Sequence, residues 1–588
     1  MTQGLLFLYI LPLIAGFLIA LFKSDQKRAA FGLLLLSVSL ITSIVLFIRP
    51  AGYFSLSLFE GFTLYFGLTL LSKTILIFVN LFGFLIALSS ARYETLKKSR
   101  GYFSYLVWLV AFSNLAVVSM DFISFIFAWG ALLVLLYAML NLGSEFSAAK
   151  ALTVVGFGDF SLLLGLCIYI AITKTTLMPQ GGAVVLDSAL SWTAYVLILS
   201  GAFAKAGCMP FHTWIPTAAD SAPIPVMAIF PASLDKLLGI YLLARVTVDF
   251  FAQNMITQSL LLIVGSLTII FAVLMALIQH DLRRLLSFHA ISQVGYMVIG
   301  FGTGSLIGIA AGLFHMVNNC IYKSGLFLSG GVVGERKNNF NLDRLGGLAV
   351  FMPVTFICAV VFSLSISGVP PFNGFASKWM LYQGVLTGFS EAPNVGLKSL
   401  YIFALISAMF GSALTLASFI KFIHAIFLGE SNDSNRKPVS DAGFRMGAPL
   451  VILAVFCLLL GILPGLFINN FIQPWLAGEV VFIGSWNSML AFVLTAVGVF
   501  LGWIIYKLMN ISNCRTDKLF IGGEDTDFGP SYPATEFYKT IYDVKLVKKL
   551  YAFLYLQGLD LYNLIDKFTG VCAGAVFAVL KSAARIFI

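Results

Sequence analysis

Charge is what this sequence is short of. Asp, Glu, Lys and Arg make up 11% of 588 residues, against 60% hydrophobic residues and a mean hydropathy of +0.97; soluble domains carry about 25% charged residues. Such a chain cannot hide its apolar surface from water, which excludes a soluble globular fold. The seven cysteines, at 167, 208, 320, 358, 457, 514 and 572, form no CxxC pair and fall mostly in apolar segments. They read as small packing residues and exclude a disulfide framework, a zinc site and an iron–sulfur cluster in this chain. A phosphate loop of GxxxxGK[ST] type and a redox ligand set are both lacking, so the chain has no energy source of its own. Acidic residues number 26 against 36 Lys and Arg, a net charge of +10. The basic residues lie in short loops between apolar stretches, which is a topology signal and excludes nucleic acid as a partner. The first apolar segment, near 4–22, lacks a basic start and a small-residue cleavage site and is expected to be a retained helix.

What the sequence does hold is helix-length hydrophobicity. A hydrocarbon core of roughly 30 Å takes about 20 helical residues, and windows of that length recur from residue 5 to residue 509. Breaks at Gly, Pro and charge place spans near 4–22, 31–49, 74–92, 102–120, 122–142, 151–173, 190–210, 223–246, 256–279, 285–302, 305–331, 350–390 (interrupted), 399–428, 447–471 and 487–509. The expected fold is an all-α integral membrane protein of about 14–16 transmembrane helices. Loops after odd-numbered spans carry most of the Lys and Arg, for example Lys23, Lys27, Arg28, Arg92, Lys97, Lys98, Arg283 and Arg284. The positive-inside rule then puts the N-terminus on the non-cytoplasmic side of a multi-pass protein of the cell inner (plasma) membrane. The organisation reads as N-terminal helices (1–120), a core (121–430), further helices (431–509) and a polar cytoplasmic linker (510–534). An amphipathic helix on the cytoplasmic surface (535–567) and a terminal segment (568–588) of open status follow.

An ionisable side chain at membrane depth is costly and by default marks function. GAFAKAGCMPF sets Lys205 among small residues just before Pro210, where the helix is expected to break and free backbone groups for ions or water. The next span starts at Pro223 and Pro225 and carries Pro231, another expected break, then Asp235 and Lys236. Adjacent helical residues point about 100° apart, so these two charges meet different neighbours. His315, Asn319 and Lys323 recur at i, i+4 and i+8, on one helix face. In SGVPPFNGFASKWM, Pro370, Pro371 and Gly374 interrupt the helix ahead of Lys378. Asp159, in FGDF of the sixth span and about one turn into the membrane, is placed to pair with Lys205. His289 and Gln293 are weaker candidates, and His424 reads equally well as interfacial. Burial favours a neutral lysine and a nearby carboxylate favours the charged one, so a wetted row of such lysines can pass protons. Each has a plainer reading: a snorkelling Lys205, an interfacial Asp235–Lys236 pair, a helix-end Asp159, a core histidine.

HTWIPTAADSAPIPV, QHDLRRLLSFHAISQVGYM, FHMVNNCIYKSGLFLSGG and SGVPPFNGFASKWM together resemble the antiporter-like subunits of respiratory complex I, of energy-converting membrane-bound hydrogenases and formate hydrogenlyase, and of Mrp-type cation/proton antiporters. The resemblance runs from about residue 60 to 430. It implies broken helices in two inverted repeats, and the amphipathic tail resembles the lateral helix of the largest such subunit. It implies a translocase subunit moving protons or sodium ions, with no cofactor in this chain, beside other membrane subunits and a peripheral redox arm whose subunits would carry iron–sulfur clusters, nickel–iron or flavin. The nine-residue step from Trp214 to Pro223 looks more like the hydrogenase branch. The alternatives are an Mrp-type antiporter subunit and a mainly structural membrane subunit. Carried over residue by residue, the family's seventh-helix lysine falls on Lys205, its eleventh-helix histidine and lysine on His315 and Lys323, its twelfth-helix lysine on Lys378 and its sixth-helix aspartate on Asp159. Three positions depart. The fifth-helix glutamate that follows a tryptophan is Gly130, after Trp129. The eighth-helix histidine is replaced near Pro231, with Lys236 one position off the usual lysine, and the second eleventh-helix histidine is Asn319. Asp235, with Asp159, is expected to stand in for the missing glutamate.

Overall fold

Apolar stretches in hydrocarbon must satisfy their own N–H and C=O groups, which makes helices the default. The computed structural model describes residues 4, 7–59, 62–93, 96, 99, 101–179, 184–429, 439–476, 478, 480, 486–508, 534–538, 545, 548–549, 551–552 and 560–571. Its helices are α1 (Ile10–Leu21), α2 (Asp25–Ile48), α3 (Leu70–Ser90), α4 (Tyr102–Val118), α5 (Phe122–Leu140), α6 (Glu145–Thr173), α7 (Ala189–Ala206), the short α8 (Trp214–Ala219) and α9 (Ile224–Phe250). They continue as α10 (Met255–Leu277), α11 (Leu282–Gly302), α12 (Leu306–Lys337), α13 (Pro353–Ser367), α14 (Asn373–Glu391), α15 (Val395–Leu428), α16 (Phe444–Ile462) and α17 (Ser488–Leu508), with an irregular helical stretch at 464–476. Among the described residues, eleven helices are long and apolar enough to cross a membrane, so the chain is an all-α, multi-pass membrane protein.

One element was not foreseen. Residues between α2 and α3 form a β-hairpin, β1 (Gly52–Phe59) against β2 (Phe62–Leu68), with Phe54 opposite Phe66. GYFSLSLF alternates apolar and polar at period two, which is strand patterning, but it was too short to register beside the spans. Asp121 fastens the hairpin: its carboxylate accepts from the Tyr65 N–H (2.8 Å) and from the Ser124 N–H that opens α5 (2.7 Å).

The interior is organised around α9 and α11, which are fully enclosed by other helices, whereas α17 has no buried residue. Two helix breaks flank this centre and share one design. α7 ends at Gly207 (φ 73°) and α13 at Gly368 (φ 79°), each with a cis proline three residues on, Pro210 and Pro371. Both glycines occupy the left-handed position that closes a helix.

Two expectations about this centre need correction. Pro231 does not break α9. The helix widens into a π-helical stretch, Phe230–Leu234, where the proline's missing N–H and bulky ring are absorbed, and the Ser233 hydroxyl donates to the carbonyls of Ala228 (2.8 Å) and Ile229 (3.0 Å). The sixth span starts earlier than residue 151. Because α6 begins at Glu145, Asp159 stands near the middle of a 29-residue helix. The expected linker and terminal segment fall almost wholly outside the described residues, as does much of 535–567. Where the tail is described it is fastened to the bundle: Tyr538 donates to the Ala417 carbonyl of α15 (3.0 Å) and Tyr551 to the Leu274 carbonyl of α10 (2.9 Å). Residues 561–571 are helical.

Candidate functional site

Five lysines, Lys205, Lys236, Lys323, Lys378 and Lys421, are at most 2% exposed. Four of them rest on backbone carbonyls. Lys236 donates to the Ala206 carbonyl that α7 leaves free at its break, and Lys378 does the same to Ile366 near the end of α13 (2.8 Å). Lys421 holds the Leu277 and Gln279 carbonyls at the end of α10 (2.5 and 2.9 Å), and Lys323 reaches Leu286 of α11 (2.7 Å). Positive charge at helix C-termini is favourable because unpaired carbonyls and the helix dipole gather there. Lys205 differs: its ammonium has no hydrogen-bond partner and sits 5.2 Å from the centre of the Trp129 ring.

Around Lys205 the carboxylates are near but not bonded. The Trp129 indole N–H donates to Asp159 Oδ1 (2.8 Å), while Asp159 Oδ2 and Asp235 Oδ2 have no partner. Lys205 lies within electrostatic range of both aspartates, and Asp235 also of Lys236. The two adjacent charges thus do diverge, Lys236 toward the end of α7 and Asp235 toward Lys205. Gly130 is on the exposed face of α5, with open space where a Cβ would stand.

The second half is built on the α11–α12 pair. His315 shares hydrogen bonds with Gln293 (Nε2, 3.2 Å) and with Ser377 of α14 (Nδ1, 2.9 Å), and Tyr322 donates to the Gln293 carbonyl oxygen (3.3 Å). Lys378 lies 4.7 Å from the centre of the Tyr296 ring, and its charge reaches both His315 and His289. Lys236 lies in range of Lys323, and Lys323 of His289. The predicted residues therefore form one succession, buried apart from the half-buried Asp159: Asp159, Lys205, Asp235, Lys236, Lys323, His289, Lys378, His315. Asn319 lies within it, fully buried. His424 does not belong. It sits in the last, π-helical turns of α15 against Phe537 of the tail, ring centres 5.2 Å apart.

Three participants escaped the sequence reading. Lys421, near the end of a span, belongs to none of the motifs singled out in the sequence. Trp129 was noticed only as a marker for Gly130. Lys150 counted as a loop charge, yet it is inside α6 and forms a buried ion pair with Asp560 of the tail (2.6 Å), which also accepts from Thr213 just after the α7 break (2.6 Å).

Residues 119–390 match the family described as NADH:quinone oxidoreductase/Mrp antiporter, TM. The stretch spans both breaks and the whole of the succession. Over this stretch the membrane core is similar to that family of complex I-like antiporter subunits. Its curated relatives include the Na(+)/H(+) antiporter subunit A1 of Staphylococcus aureus (strain JH9), 30% identical over 416 residues, and that of Staphylococcus haemolyticus, 32% identical over the same length. In each case 67% of this chain aligns with 51% of the relative, so the chain spans about half the length of the curated relatives it matches. Solved structures with this fold include a chain of the membrane-bound sulfane sulfur reductase, an archaeal respiratory membrane complex (TM-score 0.81, 24% identity, 97% of this chain and 95% of that one). The Mrp complex from Dietzia sp. DQ12-45-1b (0.71, 22%, 81% and 97%) and respiratory complex I from Thermus thermophilus (0.67, 21%, 80% and 98%) share it as well.

Proposed function

We propose that this chain is a proton- or sodium-translocating subunit of a complex I-like membrane assembly, lying in the cell inner membrane with its N-terminus on the non-cytoplasmic side. The observation that carries the reading is the set of enclosed ionisable groups from Asp159 to His315, each within electrostatic range of another, that extends across both helix breaks. Ionisable groups are enclosed at this density where ions move. Lys205 is the member of the set whose ammonium makes no hydrogen bond, within range of two carboxylates that each keep an oxygen open. A shift of Asp235 or Asp159 relative to Lys205 changes how well the ammonium is stabilised, and Lys236 and Lys323 pass that change inward as electrostatic repulsion. Driving energy comes from partner subunits: a peripheral redox arm with its own clusters, hydrogenase-like or otherwise.

The extent of the fold likeness favours the redox-driven complex, since the match to the sulfane sulfur reductase chain includes nearly all of this chain. An Mrp-type antiporter is the second reading, and the 30–32% identical antiporter subunits favour it. The test is ion uptake by proteoliposomes holding the native complex. Lys205→Ala and Lys378→Met are each expected to abolish uptake while assembly on native gels is unchanged. Full uptake by both variants would leave only the structural-subunit reading. Recovery of a redox arm with the purified complex selects the first reading, and recovery of small antiporter subunits the second.

A further inference from the structure

Two polar side chains in the buried succession are unaccounted for. His289 of α11 and Asn319 of α12 are both 0% exposed. Neither ring nitrogen of His289, nor the amide nitrogen or oxygen of Asn319, has a hydrogen-bond partner. Buried polar groups without a partner are rare, and four such atoms from two residues call for a common explanation.

The helix pairing puts these atoms at one level. α11 and α12 are joined by a short turn and run antiparallel. Lys323 meets the Leu286 carbonyl at one end of the contact, and His315 meets Gln293 at the other. With 286 opposite 323 and 293 opposite 315, residue 319 falls opposite 289. An apolar ring lies beside them: the His289 ring packs on Phe419 of α15 (4.9 Å between centres), and the Phe419 ring centre lies 5.8 Å from Lys323 Nζ. The charged groups that bear on His289 are Lys323, Lys378 and Lys421, all cationic, with no carboxylate among them.

We propose that His289 and Asn319 together hold a bridging water, and that this water and the imidazole carry the proton between Lys323 and the His315–Gln293 pair. This rests on the ion-translocation reading above and names a step within it. A buried water needs two to four polar partners, and one ring nitrogen of His289 with the Asn319 amide offers at least two, which leaves the other ring nitrogen for the outgoing proton. Asn319 cannot titrate; its NH₂ donates and its carbonyl oxygen accepts, which orients the water. The imidazole takes a proton at one ring nitrogen as it releases one from the other, so it ends neutral with its tautomer exchanged. Reversal of the tautomer resets it for the next proton. A step that never leaves a charge on the ring suits a site flanked by three lysines and no carboxylate.

The experiment uses the native complex in proteoliposomes, with a structure at a resolution that shows ordered water. A water within hydrogen-bond distance of both side chains is expected. His289→Phe and Asn319→Leu are expected to lower proton transport on the order of 10²-fold. His289→Gln is expected to keep the water and still lose transport, which separates relay from packing. A dry gap, or transport within about twofold of wild type in His289→Phe, overturns the proposal. If His289→Phe fails to assemble, His289→Gln and Asn319→Leu decide by the same criterion. Lys378→Met runs alongside: if it stops transport while the His289 and Asn319 variants do not, this step alone is wrong, and if it also transports normally, the ion-translocation reading is wrong.

Discussion

Lys205 is buried without a hydrogen bond, held between an indole face and two carboxylates that each leave an oxygen open. Its Coulomb attraction to Asp159 and Asp235 changes with small displacements of either carboxylate, since Coulomb energy changes steeply with distance at low dielectric. Asp235→Asn is therefore expected to lower coupled ion transport about tenfold or more, with normal assembly; unchanged rates in proteoliposomes would remove Asp235 from the path. Trp129→Phe, which deletes the indole N–H on Asp159 but keeps the ring near Lys205, is expected to slow transport less than Asp159→Asn does. The measurement is initial rate of uptake for the two variants side by side. Gly130→Glu should assemble normally, because a Cβ there meets nothing within 4 Å; native-gel migration checks it. Of these residues the sequence had already singled out Lys205, Asp159, Asp235 and Gly130. Trp129 acquires its role only when α6 brings Asp159 alongside α5.

At the scale of elements, the two breaks and the tail contact stand out. A Cβ at Gly374 would come within 1.7 Å of the Ser365 carbonyl oxygen, backbone that α13 cannot move without losing the break. Gly374→Ala is expected to prevent stable assembly, whereas Gly465→Ala, which meets open space, is not; thermal unfolding of the two variants tests this. The Lys150–Asp560 pair ties the tail to α6, and Thr213 joins the α7 break to the same carboxylate. Removing one partner leaves a buried charge alone, a loss of roughly 3–5 kcal/mol. Asp560→Leu is thus expected to speed hydrogen exchange across 560–571, and Lys150→Met combined with Asp560→Leu to recover part of the protection. Equal exchange in wild type and Asp560→Leu would mean the pair does not hold the tail.

At the scale of the whole molecule, the question is which ion moves and what drives it. Carboxylates and lysines in this arrangement serve protons directly or couple them to sodium. The expectation for a proton path through His289 and His315 is uptake that persists when sodium is replaced by potassium; uptake that vanishes with sodium would assign the coupling ion instead. α17, with no buried residue in the isolated chain, is an apolar helix whose covering, lipid or protein, would be seen in the structure of the purified complex.

What the sequence alone determined is set by short-range rules: hydrophobic length gave the spans, Gly and Pro the breaks, and the energetic penalty of charge in hydrocarbon the list of buried residues. i, i+4, i+8 spacing also placed His315, Asn319 and Lys323 on one face. Tertiary structure decided the rest, because it depends on which helices become neighbours. Pro231 was accommodated by a hydroxyl of its own helix. Lys150 and Asp560, 410 positions apart, became partners, and His289 came level with Asn319 through the pairing of α11 with α12. Pattern along the chain marks where a charge is buried; only packing says what it faces.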